Sequence, residues 1–214
     1  MPFVKVTMKG AQKVIDGIEK KRTLAEKAVA KTISDMKSRA PGAIASCVTG
    51  TYNIKKSEIN PSSTKEGKKA VTMQVSGETI EGMAFTYKGR LLTPVHFGMS
   101  PKAPPQGKSY TLTATIRKDK GKKVIGRYKN TRTKGGPDSQ QSHFVLMGTG
   151  NTKADGVNAI PFQRRSTGRM DIKKMTTLSV PQMIGEEETV APAIQTKLTE
   201  LLTTRLNYHM SKIK

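Results

Sequence analysis

Three histidines, one cysteine and sixteen acidic residues are all that this 214-residue chain offers for acid–base, nucleophilic or metal chemistry. His96, His143 and His209 share no two-histidine helical spacing and no Cys/His zinc spacing. His96 lies in a Pro-rich turn and His143 beside strand residues, neither with an obvious partner, while His209 lies near an apolar helical stripe and reads as a packing or interface residue. Cys47 sits among small residues and reads as a small buried side chain. With one cysteine no internal disulfide forms, which points to a reducing compartment or a surface that needs no staples. Asp16, Asp35, Asp119, Asp138, Asp155 and Asp171 are dispersed, and Glu186 to Glu188 form a run that helix-start electrostatics explains. Gly148, Gly150 and Gly156 match neither phosphate-binding glycine pattern. The expectation is a protein without catalysis, metal or cofactor.

The cations carry more information. Lys and Arg number 38 against 16 acids, a net charge of +22, which attracts polyanions or acidic partners and repels like copies. The excess is uneven. Residues 111–137 hold nine cations and one acid, whereas residues 186–214 hold four of each. Arg117, Lys118, Lys120, Lys122, Lys123, Arg127, Lys129, Arg132 and Lys134 are the candidate sites for a polyanion or an acidic partner, and such contacts need only cations on an adaptable backbone. Tyr128 is the one aromatic within that stretch, too few to argue base stacking.

These residues need elements to position them. Leu24, Ala28, Val29, Ile33, Met36 and Ala40 form an apolar stripe within a mainly helical region, 12–47, opposed by Lys20, Lys21, Lys27, Lys31 and Lys37, and Pro41-Gly42 interrupts or ends it. A turn and short basic helix follow between Thr49 and Pro61. Phe3 to Met8, Val71 to Ser76, Ile80 to Tyr87, Tyr110 to Ile116, His143 to Met147 and Val157 to Arg164 read as strands. Pro61 to Lys69 and Pro94 to Gly107 read as loops, and 117–136, with four glycines, as a long hairpin tip or mobile arm. Thr176 to Gly185 is a connector. The last segment, 186–212, is the clearest helix. Val190, Ile194, Leu198, Leu201, Leu202, Leu206 and Met210 share one stripe, which either covers the chain's own sheet or docks on a neighbouring subunit. The class is α+β: an N-terminal helix, an antiparallel sheet or sandwich with the basic arm, and a long C-terminal amphipathic helix, as one domain over 1–214. A hydrophobic fraction of 35% and the absence of Trp imply a modest, aliphatic core, completed in part by assembly. No stretch is apolar enough for a membrane span, and the first residues lack the apolar run of a signal peptide, so synthesis and use in the cytosol, or in a particle assembled there, are expected.

Three stretches carry a family resemblance. Thr23-Leu24-Ala25-Glu26-Lys27-Ala28-Val29-Ala30-Lys31-Thr32-Ile33 runs on to Tyr52-Asn53-Ile54-Lys55-Lys56-Ser57-Glu58-Ile59, and Leu178-Ser179-Val180-Pro181-Gln182-Met183-Ile184 leads into the final helix. Together, over roughly 20–60 and 157–212, they resemble the minor tail protein Z family, the tail completion proteins of tailed bacteriophages and prophages. The middle of the chain, around 100–140, is longer and more basic than the family pattern. The resemblance implies a structural virion protein with no catalytic residues. It implies a homo-oligomeric ring, commonly a hexamer, at the head-proximal end of the tail, beside the tail terminator, tail tube or connector and around the DNA channel, with assembly in the host cytoplasm. Non-specific contact with genomic DNA is compatible with it. The competing expectation is a free basic nucleic-acid-binding protein of nucleoid or ribosomal type, although no recognisable nucleic-acid-binding motif is present.

Overall fold

The computed structural model describes residues 11–60, 71–80, 82–102, 108–129, 143–147, 159–165 and 171–212, the backbone alone at 11–18 and 147. The chain is α+β, as the patterning implied. Its order is helix α1 (Ala11–Thr51), α2 (Lys56–Ile59), strands β1 (Val71–Ser76) and β2 (Ala84–Gly89), a 3₁₀ turn (Pro94–Phe97), β3 (Tyr110–Ala114), β4 (Lys123–Tyr128), β5 (His143–Met147), β6 (Ala159–Arg164), β7 (Ile172–Lys174), α3 (Val180–Ile184) and α4 (Val190–Ser211). The strand expected at Phe3 to Met8 and the loop from Pro61 to Lys69 lie outside the described residues.

Helix α1 runs unbroken through Pro41 for 41 residues, so the break expected at Pro41-Gly42 does not occur. Proline lacks the N–H that an interior helical position donates, a penalty of about 3 kcal/mol. Burial offsets it: Pro41 is buried, flanked by Ala40 at 0% exposure and followed on the same side by Ile44 and Ala45. The apolar stripe read from the sequence does face inward, with Ala28, Ile33, Met36 and Ala40 buried. Thr32 is buried among them, its hydroxyl donating to the Ala28 carbonyl at 2.8 Å, so no polar group is stranded.

Helix α4 packs along α1, not across a sheet. Cys47 Sγ lies 3.7 Å from the Ala193 carbonyl, and His209 Nε2 lies 3.1 Å from Asp35 Oδ2, which sets the two helices antiparallel. The seam continues into the main core, where Ile44, Val48, Tyr52, Ile54 and Ile59 meet Leu92, Phe97, Val180, Met183, Val190 and Ile194.

The strands form three separate antiparallel ladders: β1–β2, β3–β4 and β5–β6–β7. The second strand is later than expected, at Ala84–Gly89, and pairs Phe85 with Val75 and Tyr87 with Met73 on the inward face. In the second ladder Leu112 pairs with Gly126 but Thr113 with Val124, leaving Ile125 as an extra residue in a bulge. A Cβ at Gly126 would fall 2.5 Å from the His143 ring, so glycine is what lets β5 lie against β4. A smaller core of Met99, Leu112, Val145 and Ala159 fills the space between these ladders. The 3₁₀ turn ends at Gly98, whose φ of 68° is left-handed and favours glycine.

The connector expected from Thr176 to Gly185 contains a further helix. Ser179 caps α3 by accepting from the Gln182 N–H, while the Gln182 side chain accepts from the Ser179 N–H at 2.9 Å, a reciprocal capping box. Strand β7 was not anticipated; three residues give too short a pattern to read.

Candidate functional site

The basic stretch is half built into the fold. Arg117 to Lys122 turn between β3 and β4, and Lys123 to Tyr128 is a ladder strand, so of the two expectations, hairpin tip or mobile arm, the described part forms the hairpin. Arg132 and Lys134 lie outside the described residues. The cations do not share one role. Arg117, its side chain 19% exposed, is consumed inside the protein. Its Nη1 donates to Glu186 Oε1 at 3.0 Å and its Nε to Asp119 Oδ1 at 3.2 Å, and the guanidinium lies 5.7 Å from the centre of the Tyr52 ring. Lys118 donates from Nζ to the Thr49 carbonyl at 2.5 Å, placing a cation at the negative end of α1. Lys120, Lys122, Lys123, Arg127 and Lys129 are exposed and form the outward charge of this hairpin.

Glu186 joins the hairpin to α4. Its Oε2 accepts from the Thr189 hydroxyl at 2.6 Å, the Thr189 N–H at 3.0 Å and the Val190 N–H at 2.9 Å. Those donors are otherwise orphaned at a helix start. The acidic run was read as the helix's first turn; the helix proper starts at Val190, and Glu186 caps it from outside. The Thr189 hydroxyl first, then the Val190 N–H and the Arg117 guanidinium, hold the Glu186 carboxyl down at about 2.

Along α4 the apolar stripe opens gradually. Val190 and Ile194 are buried, at 0% and 6% exposure. Leu198, Leu201, Leu202 and Leu206 are half-buried, and Met210 is 43% exposed. Part of the stripe assigned to a subunit interface therefore packs within the subunit, against α1, and its distal part is only partly covered, with Met210 exposed. Asp35, His209 and Arg205 close the far end of the helix pair, Arg205 Nη1 lying 4.0 Å from Asp35 Oδ2. The opposite face of α4 is rich in threonine, and the hydroxyls of Thr196, Thr199 and Thr204 donate to carbonyls one turn back, so they offer little to a ligand.

His96 does have a partner. Its Nδ1 lies 2.6 Å from Glu58 Oε2 and ties the 3₁₀ turn to α2. The spacing of 38 residues hid this pair from a local reading, as the 174 residues between Asp35 and His209 hid the other. Burial pushes the Tyr87 phenol up to about 12. Among the described residues no group of three or more His, Cys, Asp or Glu is placed to hold a metal ion, and no helix is long and apolar enough to cross a membrane.

Comparisons with family models, curated proteins and solved structures give no match to this chain.

Proposed function

We propose that this chain is a structural subunit of a bacteriophage or phage-like tail, a tail completion or neck component that forms a ring at the head-proximal end. It works by docking on protein neighbours around the DNA channel and turns over no substrate. The observation that carries this reading is the graded stripe of α4, buried on α1 at Val190 and Ile194, half-buried from Leu198 to Leu206 and exposed at Met210. A helix whose apolar stripe is only partly covered at home has apolar area left for a neighbour. The Ser179 to Met183 stretch, within one of the three stretches that carry the family resemblance, forms the capped helix α3 ahead of α4. Partners in this reading are further copies of the chain, in a hexameric ring, and the terminator, tube or connector next to it. The exposed cations of the β3–β4 hairpin face acidic neighbours or, non-specifically, DNA phosphates.

Removing the gene and imaging the particles by negative stain tests the reading. Tails that end or join abnormally, rescued by the wild-type chain but not by a Leu202→Glu/Leu206→Glu chain, are the expected result. Normal tails in the deletion would overturn it. So would tight duplex binding with a steep salt slope by a protein that never enters a particle, which belongs to a free nucleic-acid-binding protein.

A further inference from the structure

The outer face of the β5–β6–β7 ladder has the wrong polarity for a surface left in water. Side chains alternate along a strand, and directly paired residues share a face. Val145, Ala159 and Pro161 face inward and are buried. The opposite face therefore carries Phe144 beside Phe162 and Leu146 beside Ile160, by the ladder's own register. A ladder with one face on a core normally sets polar residues outside. Here Leu146 is 45% and Ile160 36% exposed, with the two phenylalanine rings half-buried next to them. Two of the five phenylalanines in the chain sit on this patch, in a protein with little apolar material to spare. The patch has a charged border. Arg164 lies over Phe144 at 5.7 Å from the ring centre, and Lys174 stands opposite Phe162 on the same face. The register sets Arg164 and Lys174 on this outer face and no acid beside them among the described strand residues, while Lys173, opposite Gln163, lies on the other face.

From this juxtaposition we propose that the outer face of β5–β6–β7 is a protein-docking surface whose occupant presents an apolar centre inside an acidic border. The claim stands on the ladder alone and is independent of the tail reading. Charge complementarity selects the occupant. A second copy meeting this face with its own would set cations against cations. A nucleic acid would satisfy the cations but gain little from Leu146 and Ile160, and the two phenyl rings already stack on each other, with centres 6.0 Å apart. Only a partner with apolar side chains for the centre and carboxylates for the border satisfies both parts of the surface.

Three synthetic probes separate these cases: an amphipathic Leu/Glu helix, a Leu/Lys helix with the same apolar face, and a thymidine oligonucleotide. The full chain is expected to bind the Leu/Glu helix in preference to the Leu/Lys helix. A Leu146→Thr/Ile160→Thr variant is expected to weaken that binding about tenfold or more, since two large side chains lose burial. A Lys174→Glu chain, altered at an exposed position, is expected to weaken it several-fold while keeping the wild-type melting temperature, and it serves as the probe if the double variant melts early. Equal binding of the Leu/Glu helix by wild type and both variants overturns the proposal. Oligonucleotide binding that falls in the double variant, or self-association that the double variant abolishes, overturns it in favour of nucleic acid or of a second copy.

Discussion

Glu186 shows how much a single side chain decides here. One carboxylate oxygen holds the start of α4 through Thr189 and Val190, and the other holds Arg117 on the hairpin. Two elements distant in sequence are thus oriented by one charge. The sign of its pH dependence follows from its acidity. The carboxyl titrates at an ordinary value of 4.5 when unfolded and at about 2 when folded. Its stabilisation is complete above the unfolded value and is lost as pH falls through that window toward the folded one. Melting temperature measured by circular dichroism should drop more steeply between about pH 4.5 and 2 in the wild type than in Glu186→Gln, with the two curves converging at the acid end. Parallel curves would show that Glu186 does not couple hairpin to helix. The acidic run was visible in the sequence, and its helix-start role with it. Its partner Arg117 was not, because 69 residues separate the two, and Arg117 looked like one more cation of the basic stretch.

At the scale of elements, local rules read well wherever the local pattern and the tertiary packing agree. The stripes of α1 and α4 and the alternation of β1 were legible because burial follows periodicity directly. Pro41 misled because its local penalty is smaller than the packing gained by continuing the helix. Gly126, one of the four glycines of the 117–136 stretch, is a strand residue whose missing side chain permits close approach to His143. Ser179 and Gln182 had the spacing of a capping box and signalled a helix inside what reads as a connector. His143 to Met147 held a further signal: three consecutive apolar residues, Phe144, Val145 and Leu146, mark a strand with apolar side chains on both faces. The two halves of α4 should differ in what they contribute. Ile194→Ala, at a closed part of the seam, is expected to cost about 2–5 kcal/mol in chemical denaturation. Leu206→Ala, at the half-buried part, is expected to cost about 1 kcal/mol in the isolated chain. Equal costs would mean that the whole stripe is already satisfied within the subunit.

For the whole molecule, the described residues leave apolar and basic surfaces unevenly distributed. A long helix pair supplies one edge, three small ladders supply the body, and outward cations line both α1 and the β3–β4 hairpin. Two-stranded ladders are marginal by themselves and depend on what they pack against. A net charge of +22 disfavours loose self-association and favours partners that are acidic. In the proposed assembly, the partly exposed helix stripe, the apolar ladder face and the basic hairpin would each meet a neighbour. The most direct test is the number of copies per purified particle, counted by quantitative mass spectrometry against a tail protein of known stoichiometry. A fixed small integer, six for a single hexameric ring, is the expected result; absence from washed particles, or a copy number that drifts with salt, would contradict it.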